Sequence, residues 1–119
     1  MELCWLTLHV RDLKTSLTFY HDLLGLPINS LEENEVIKMA MLGKREQVKI
    51  ELLEDPAHVA ATNGISVGIQ VSSLNQSMAY LKKKNIEILR GPITPNPNIS
   101  FFFISDPDGY QVQLVESKG

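Results

Sequence analysis

Cysteine is nearly absent from this chain: Cys4 is the only one in 119 residues. An intrachain disulfide and a cysteine-based zinc cluster are therefore excluded. Cys4 itself is expected to be a buried small hydrophobe, because it points away from its neighbour Trp5 on an extended segment. Long hydrophobic runs are also missing, so no stretch is suited to crossing a bilayer. The opening MELCWLTLHV carries neither a basic leader nor a small-residue cleavage site. The expectation is a cytoplasmic protein with no membrane partner. Positive charge is scarce, with 11 Lys and Arg against 14 Asp and Glu and a net charge of −3. The one dense basic run, Lys82-Lys83-Lys84, reads as a solvated helix face. Nucleic acid requires a concentrated basic face and is not an expected partner.

What remains is an ordinary globular composition, 44% hydrophobic and 21% charged. A chain of this length can bury a core without disulfides or a structural metal. Its organisation shows when the chain is laid against itself. LHVRDLKTSLTFY (8–20) aligns with IQVSSLNQSMAYL (69–81) at an offset of 61, which places Val10 over Val71, Leu13 over Leu74 and Ser16 over Ser77. IELLE (50–54) aligns with VQLVE (112–116) at one residue more. The chain is read as a single domain, 1–119, built from module 1–58 and module 62–119.

Each module reads as strand, helix, then strands. Residues 3–10 alternate, with Leu6, Leu8 and Val10 on one face and Trp5, Thr7 and His9 on the other. Asp12 is an N-cap for a helix over 13–24, and Gly25 offers its left-handed cap. Strands are expected near 35–42 and 47–53, with GKRE (43–46) turning between them. In the second module a strand at 65–71 leads to Ser73, whose capping box with Gln76 opens a helix over 74–84. Strands near 86–89, 99–105 and 110–116 follow. GPITPNPN (91–98) is expected to be a loop, since its prolines lack the N–H that pairing requires. The stripes Leu13/Leu17/Tyr20 and Leu74/Met78/Leu81 are core. This order gives an α+β fold: two paired βαβββ modules forming a curled mixed sheet with helices on the outer face. The other face, with Trp5, Thr7, Glu51, Ser66 and Gln113, is the expected concave ligand wall.

LHVRDLKTSLTFYHDLLGLPI and ISDPDGYQVQLVE resemble the two end signatures of the vicinal oxygen chelate superfamily. It includes glyoxalase I, extradiol dioxygenases, methylmalonyl-CoA epimerase and the bleomycin- and fosfomycin-resistance proteins. The resemblance spans essentially the whole chain. It implies four cleft positions that hold a divalent ion in metal-dependent members. Carried over, these fall on Trp5, Glu51, Ser66 and Gln113, and the internal repeat pairs Trp5 with Ser66 and Glu51 with Gln113. Only Glu51 is a strong ligand. An indole N–H is a donor only, and serine and glutamine are weak neutral ligands. His9 shares the Trp5 face but lies roughly 13 Å along the strand at about 3.3 Å per residue, far beyond a coordination bond of about 2 Å. His21 and His58 read as surface histidines. No metal and no other cofactor is expected.

The resemblance then implies a metal-independent protein of the glyoxalase/bleomycin-resistance type, holding a hydrophobic or aromatic small-molecule ligand. Trp5 would supply a stacking surface, Thr7, Ser66 and Gln113 neutral hydrogen bonds, and Phe102 further aromatic area. Phe102 shares a face with Gln113 if DPDG is a simple four-residue loop; a bulge reverses this. The alternative is a metal-free lyase or isomerase with Glu51 as general base. A regulatory module without a ligand is a third reading. The family commonly forms homodimers, so a homodimer is expected. If modules exchange between chains, DPAHVAATN (55–63) is the hinge.

Overall fold

The computed structural model describes residues 1–60 and 63–118. The chain divides into two compact units, Met1–Ala60 and Ala61–Gly119, and each carries the order βαβββ.

In the first unit, β1 (Trp5–Val10) leads into helix α1 (Leu13–Leu17), followed by β2 (Ile28–Glu33), β3 (Lys38–Leu42) and β4 (Lys49–Glu54). The sheet order is β1-β4-β3-β2, with β1 parallel to β4 and the other pairs antiparallel. Asp12 caps α1 as its sequence position predicts: Oδ2 accepts from the Thr15 amide at 2.9 Å and from the Thr15 hydroxyl at 2.6 Å. The helix does not continue to residue 24 in α geometry. From Thr18 to Leu23 it widens into π-helical turns, marked by the Leu24 amide donating to the Phe19 carbonyl at 3.0 Å. Consecutive Phe19 and Tyr20 are both buried there and meet edge to face. Gly25, at φ +78°, ends the turns in the left-handed conformation.

In the second unit, β5 (Ser66–Gln70), α2 (Leu74–Lys83), β6 (Arg90–Asn96), β7 (Ile99–Ser105) and β8 (Gln111–Ser117) repeat the plan, with sheet order β5-β8-β7-β6. Ser73 caps α2 by accepting from the Gln76 amide at 3.2 Å. Lys82, Lys83 and Lys84 are exposed at its end.

Alternation sorts each sheet into two faces. Leu8, Val10, Ala40, Leu42 and Leu52 are buried toward α1 with Leu13, Phe19 and Tyr20. Val67, Phe102, Ile104, Val112 and Leu114 are buried toward α2 with Leu74 and Leu81. Leu17 and Met78 are half-buried on the same stripes. Full burial of one such aliphatic side chain contributes about 1.5–3 kcal/mol, so these two rows are the main source of each unit's stability. The fold class expected from the sequence is the one observed, as two four-stranded mixed sheets.

Four local expectations are corrected. A strand at Ile28–Glu33 escaped notice because all six residues are exposed at a sheet edge and carry no apolar alternation. The expected strand at 86–89 is not one, and GPITPNPN is not a loop. β6 runs through Pro92 and Pro95 as an edge strand, with register shifts between its contacts Arg90 to Phe103, Ile93 to Phe101 and Asn96 to Ile99. An edge strand bonds on one side only, so prolines are tolerated. Gly91 is required within it: at φ +101° any Cβ would lie 2.9 Å from the Phe102 Cα. Cys4 is exposed, since it precedes β1 and its carbonyl is used by the Lys49 amide. Of the expected hinge, Pro56–His58 forms one 3-10 turn, and residues 61 and 62 lie outside the described residues.

Candidate functional site

The strand registers place each candidate residue. In the first unit, Trp5 stands opposite Lys49 and Thr7 opposite Glu51, and Met41 is the next partner of Glu51 on β3. Trp5, Thr7, Lys49, Glu51 and Met41 thus share the far face, turned away from α1. Trp5 is 47% exposed, while Thr7 and Glu51 are half-buried. The Thr7 hydroxyl donates to Oε1 of Glu51 at 2.7 Å. A charge-assisted bond of this length fixes the orientation of the carboxylate.

His9 lies on the same face but is engaged elsewhere. Its Nδ1 is 2.9 Å from Oδ2 of Asp55, and Nδ1 of His58 is 2.8 Å from the same oxygen. The two rings meet edge to face at 6.2 Å. These bonds, with the one from His58 the strongest, hold the Asp55 carboxyl below its ordinary value.

In the second unit, Ser66 stands opposite Gln111, and Gly68 opposite Gln113. Across β7, Gln113 faces Phe103, and Phe102 faces Leu114. Phe102 is therefore not a ligand contact: it is wholly buried on the α2 side. The reversal comes from the turn. Five residues, Asp106 to Tyr110, separate the Ser105–Gln111 pair, one more than the simple loop. Oδ1 of Asp106 accepts from the amides of Asp108 and Tyr110, and Gly109 takes φ +93°. The extra residue moves every side chain of β7 to the opposite face relative to β8.

Phe103 takes the place expected for Phe102, and it brings Arg90 with it. The Arg90 guanidinium lies 4.0 Å from the Phe103 ring centroid, and its Nη2 donates to Oε1 of Gln111 at 2.9 Å. Nε2 of Gln111 donates in turn to Oδ1 of Asn63 at 2.9 Å. Phe101 packs edge to face on Phe103 at 5.7 Å. Sequence reasoning missed Arg90 because β6 was read as a loop; a strand there would have set Arg90 beside the phenylalanines.

Residues 3–114 match the Glyoxalase/Bleomycin resistance protein/Dioxygenase superfamily. The chain belongs to that superfamily. It is 27% identical to the lactoylglutathione lyase of Haemophilus influenzae, with 99% of this chain and 94% of the relative aligned. It is 28% identical to the enzyme of the same name from Salmonella typhimurium, again over 99% and 94%. Among solved structures, an antibiotic binding protein, TnmS3 of Streptomyces sp. CB03234, superposes with a TM-score of 0.78 at 15% identity, covering 98% of this chain and 96% of the other. Glyoxalase I of Leishmania major superposes equally well, 0.78 at 20% identity, covering 99% and 88%. At these identities the structures speak for the fold.

Membership makes a divalent ion the question for Trp5, Glu51, Ser66 and Gln113. The donor chemistry does not fit one. Trp5 offers no lone pair, Ser66 and Gln113 offer neutral oxygens, and the single carboxylate already accepts the Thr7 hydroxyl. Among the described residues, no three His, Cys, Asp or Glu side chains gather as a metal group. No described helix is long and apolar enough to cross a membrane.

Proposed function

We propose that this superfamily member is a metal-independent, cytoplasmic small-molecule-binding protein that acts as a homodimer. Its ligand is hydrophobic or aromatic and rests on the far face of a sheet. One observation carries the reading: at the position where the resemblance implies a ligating side chain, Trp5 sets a flat, half-exposed indole on the face that bears Glu51. A ring there offers stacking area and no coordination. The fold that it shares with an antibiotic binding protein supports it. Thr7 and Glu51 on the first sheet, and Ser66 and Gln113 on the second, are the polar groups that these faces offer a ligand.

A second reading is favoured by the Thr7–Glu51 bond. A carboxylate held in one orientation by a hydroxyl is placed to take a proton from a carbon next to a carbonyl. In that case Glu51 is the general base of a metal-free lyase or isomerase, a class to which the lactoylglutathione lyase similarity leads.

Elemental analysis of purified protein, followed by titration of Trp5 fluorescence with aromatic compounds, tests both. The binding reading expects substoichiometric metal, a saturable fluorescence change and no turnover. Stoichiometric zinc, nickel, iron or manganese overturns it. Turnover that is lost in Glu51→Gln with binding kept selects the enzyme. Light scattering at twice the chain mass supports the dimer, and the monomer mass removes it.

A further inference from the structure

The two far faces differ in charge. The first carries Lys49, Glu51, Glu32 and His9. On the second, the paired positions are Ser66, Gly68 and Gln70 of β5, Gln111, Gln113 and Val115 of β8, and Phe101, Phe103 and Ser105 of β7. All are neutral. Arg90, reached through its contact with Phe103, is the only charge among them. It has no salt bridge among the described residues.

Arg90 is nevertheless held in place. Its guanidinium carbon lies over the Phe103 ring, 4.0 Å from the centroid, and one of its nitrogens is fixed by Gln111, itself tied to Asn63. Stacking uses the face of the guanidinium and leaves its edge, where the N–H donors project, for another partner. Gln113 pairs with Phe103 on the next strand of the same row, about 5 Å from it at ordinary strand spacing. Its carboxamide makes no hydrogen bond among the described residues. Beside it, Gly68 removes the side chain that Thr7 supplies at the matching place in the first unit. A Cβ at Gly68 would come within 3.8 Å of the Gln113 oxygen, so the glycine keeps that flank open.

We infer that the row Arg90–Phe103–Gln113–Gly68 is a subsite for a carboxylate-bearing aromatic or hydrophobic small molecule. The carboxylate meets the guanidinium edge in a two-point bond. The Gln113 amide binds a carbonyl or hydroxyl next to it, over the space at Gly68. The body of the ligand lies along Phe101. This deepens the proposed binding function by naming the charge of the ligand, and it rests on that reading.

The test is titration of 15N-labelled protein with 3-phenylpropionate, its neutral amide 3-phenylpropionamide, and 2-phenylethylphosphonate. The side-chain resonances of Arg90 and Gln113 are followed by NMR. The carboxylate is expected to shift both and to bind at least about tenfold more tightly than the amide. Arg90→Lys is expected to lose that preference, because a point charge neither stacks nor forks. Arg90 is exposed, so the variant folds, and its backbone spectrum verifies this. Equal affinity for acid and amide, or an unchanged preference in Arg90→Lys, overturns the inference. So does tight binding of the phosphonate alone. If Trp5 fluorescence still responds to neutral aromatics in any of those cases, the broader binding reading stands without the carboxylate subsite. If neither spectrum responds to any probe, both fall.

Discussion

Glu116, near the end of β8, accepts the backbone amide of Leu74 at the start of α2 at 2.7 Å. The first unit repeats the arrangement, with Glu54 of β4 accepting the Leu13 amide at 2.8 Å. Each carboxylate occupies the positive end of its helix and satisfies a donor that has no partner within the helix. Each helix is thereby bonded to one inner strand of its own sheet, β4 or β8. Glu116→Ala is expected to destabilise the protein by about 1–3 kcal/mol, because it leaves the amide of buried Leu74 without an acceptor. Glu116→Gln keeps an acceptor and is expected to cost less. Urea unfolding followed by circular dichroism measures both.

The register of β7 against β8 has its own test. Phe102→Ala removes a fully buried ring and is expected to cost about 3–5 kcal/mol. Phe101→Ala trims a half-buried ring on the far face and is expected to cost much less. Comparable losses in the two unfolding curves would contradict the five-residue turn.

Gly91→Ala is expected to destabilise by about 1–3 kcal/mol from its positive φ, with more from the clash against the backbone of Phe101 and Phe102. Gly25→Ala shares the positive φ, but a Cβ there meets nothing within 4 Å. Its cost is expected at about 1–2 kcal/mol, from the left-handed backbone alone. Thermal unfolding of the pair separates conformational strain from collision.

Acid stability should depend on Asp55. The His58 bond comes first, with the His9 bond adding to it, in holding its carboxyl below the ordinary value of 3.8. A group depressed in the folded state stabilises the fold above the unfolded pKa. That contribution is lost as pH falls through the lower, folded value. Asp12 behaves alike through its bonds from Thr15. Urea midpoints taken from about pH 5 down to about pH 2 are expected to fall, and Asp55→Asn is expected to flatten that fall. An unaltered slope in the variant would remove Asp55 from the account.

Much of the architecture was legible because strong local signals agreed with one another. Asp12, Gly25 and Ser73 mark helix ends by backbone chemistry, and the leucine stripes mark the buried faces. The 61-residue offset found from Val10 and Val71 put Trp5 with Ser66, the offset of 62 found from IELLE and VQLVE put Glu51 with Gln113, and these stand at matching places in β1 and β5, β4 and β8. What stayed hidden was written in edges and turns. Ile28–Glu33 buries nothing, so no periodicity announces it. Arg90–Asn96 is a strand despite its prolines, held by one neighbour and interrupted by bulges. The face of Phe102 turned on a single residue, Tyr110, whose place in the loop is fixed by the Asp106 side chain rather than by the apolar pattern. Arg90 over Phe103 followed from both errors and could not be seen until both were corrected.

One edge strand of the second sheet is made of RGPITPN. A rim strand presents unpaired backbone donors and acceptors to any passing chain, and such rims seed sticky, ribbon-like clumping. Pro92 and Pro95 have no amide hydrogen to offer, and the kinks between them prevent a straight template. The edge strand Ile28–Glu33 of the first sheet has no proline and instead sets Glu32 and Glu33 there, where like charge repels a second copy. Two unrelated devices thus keep an all-exposed margin from recruiting its own kind, and replacing either with threonine or valine would be the shortest route to an insoluble protein.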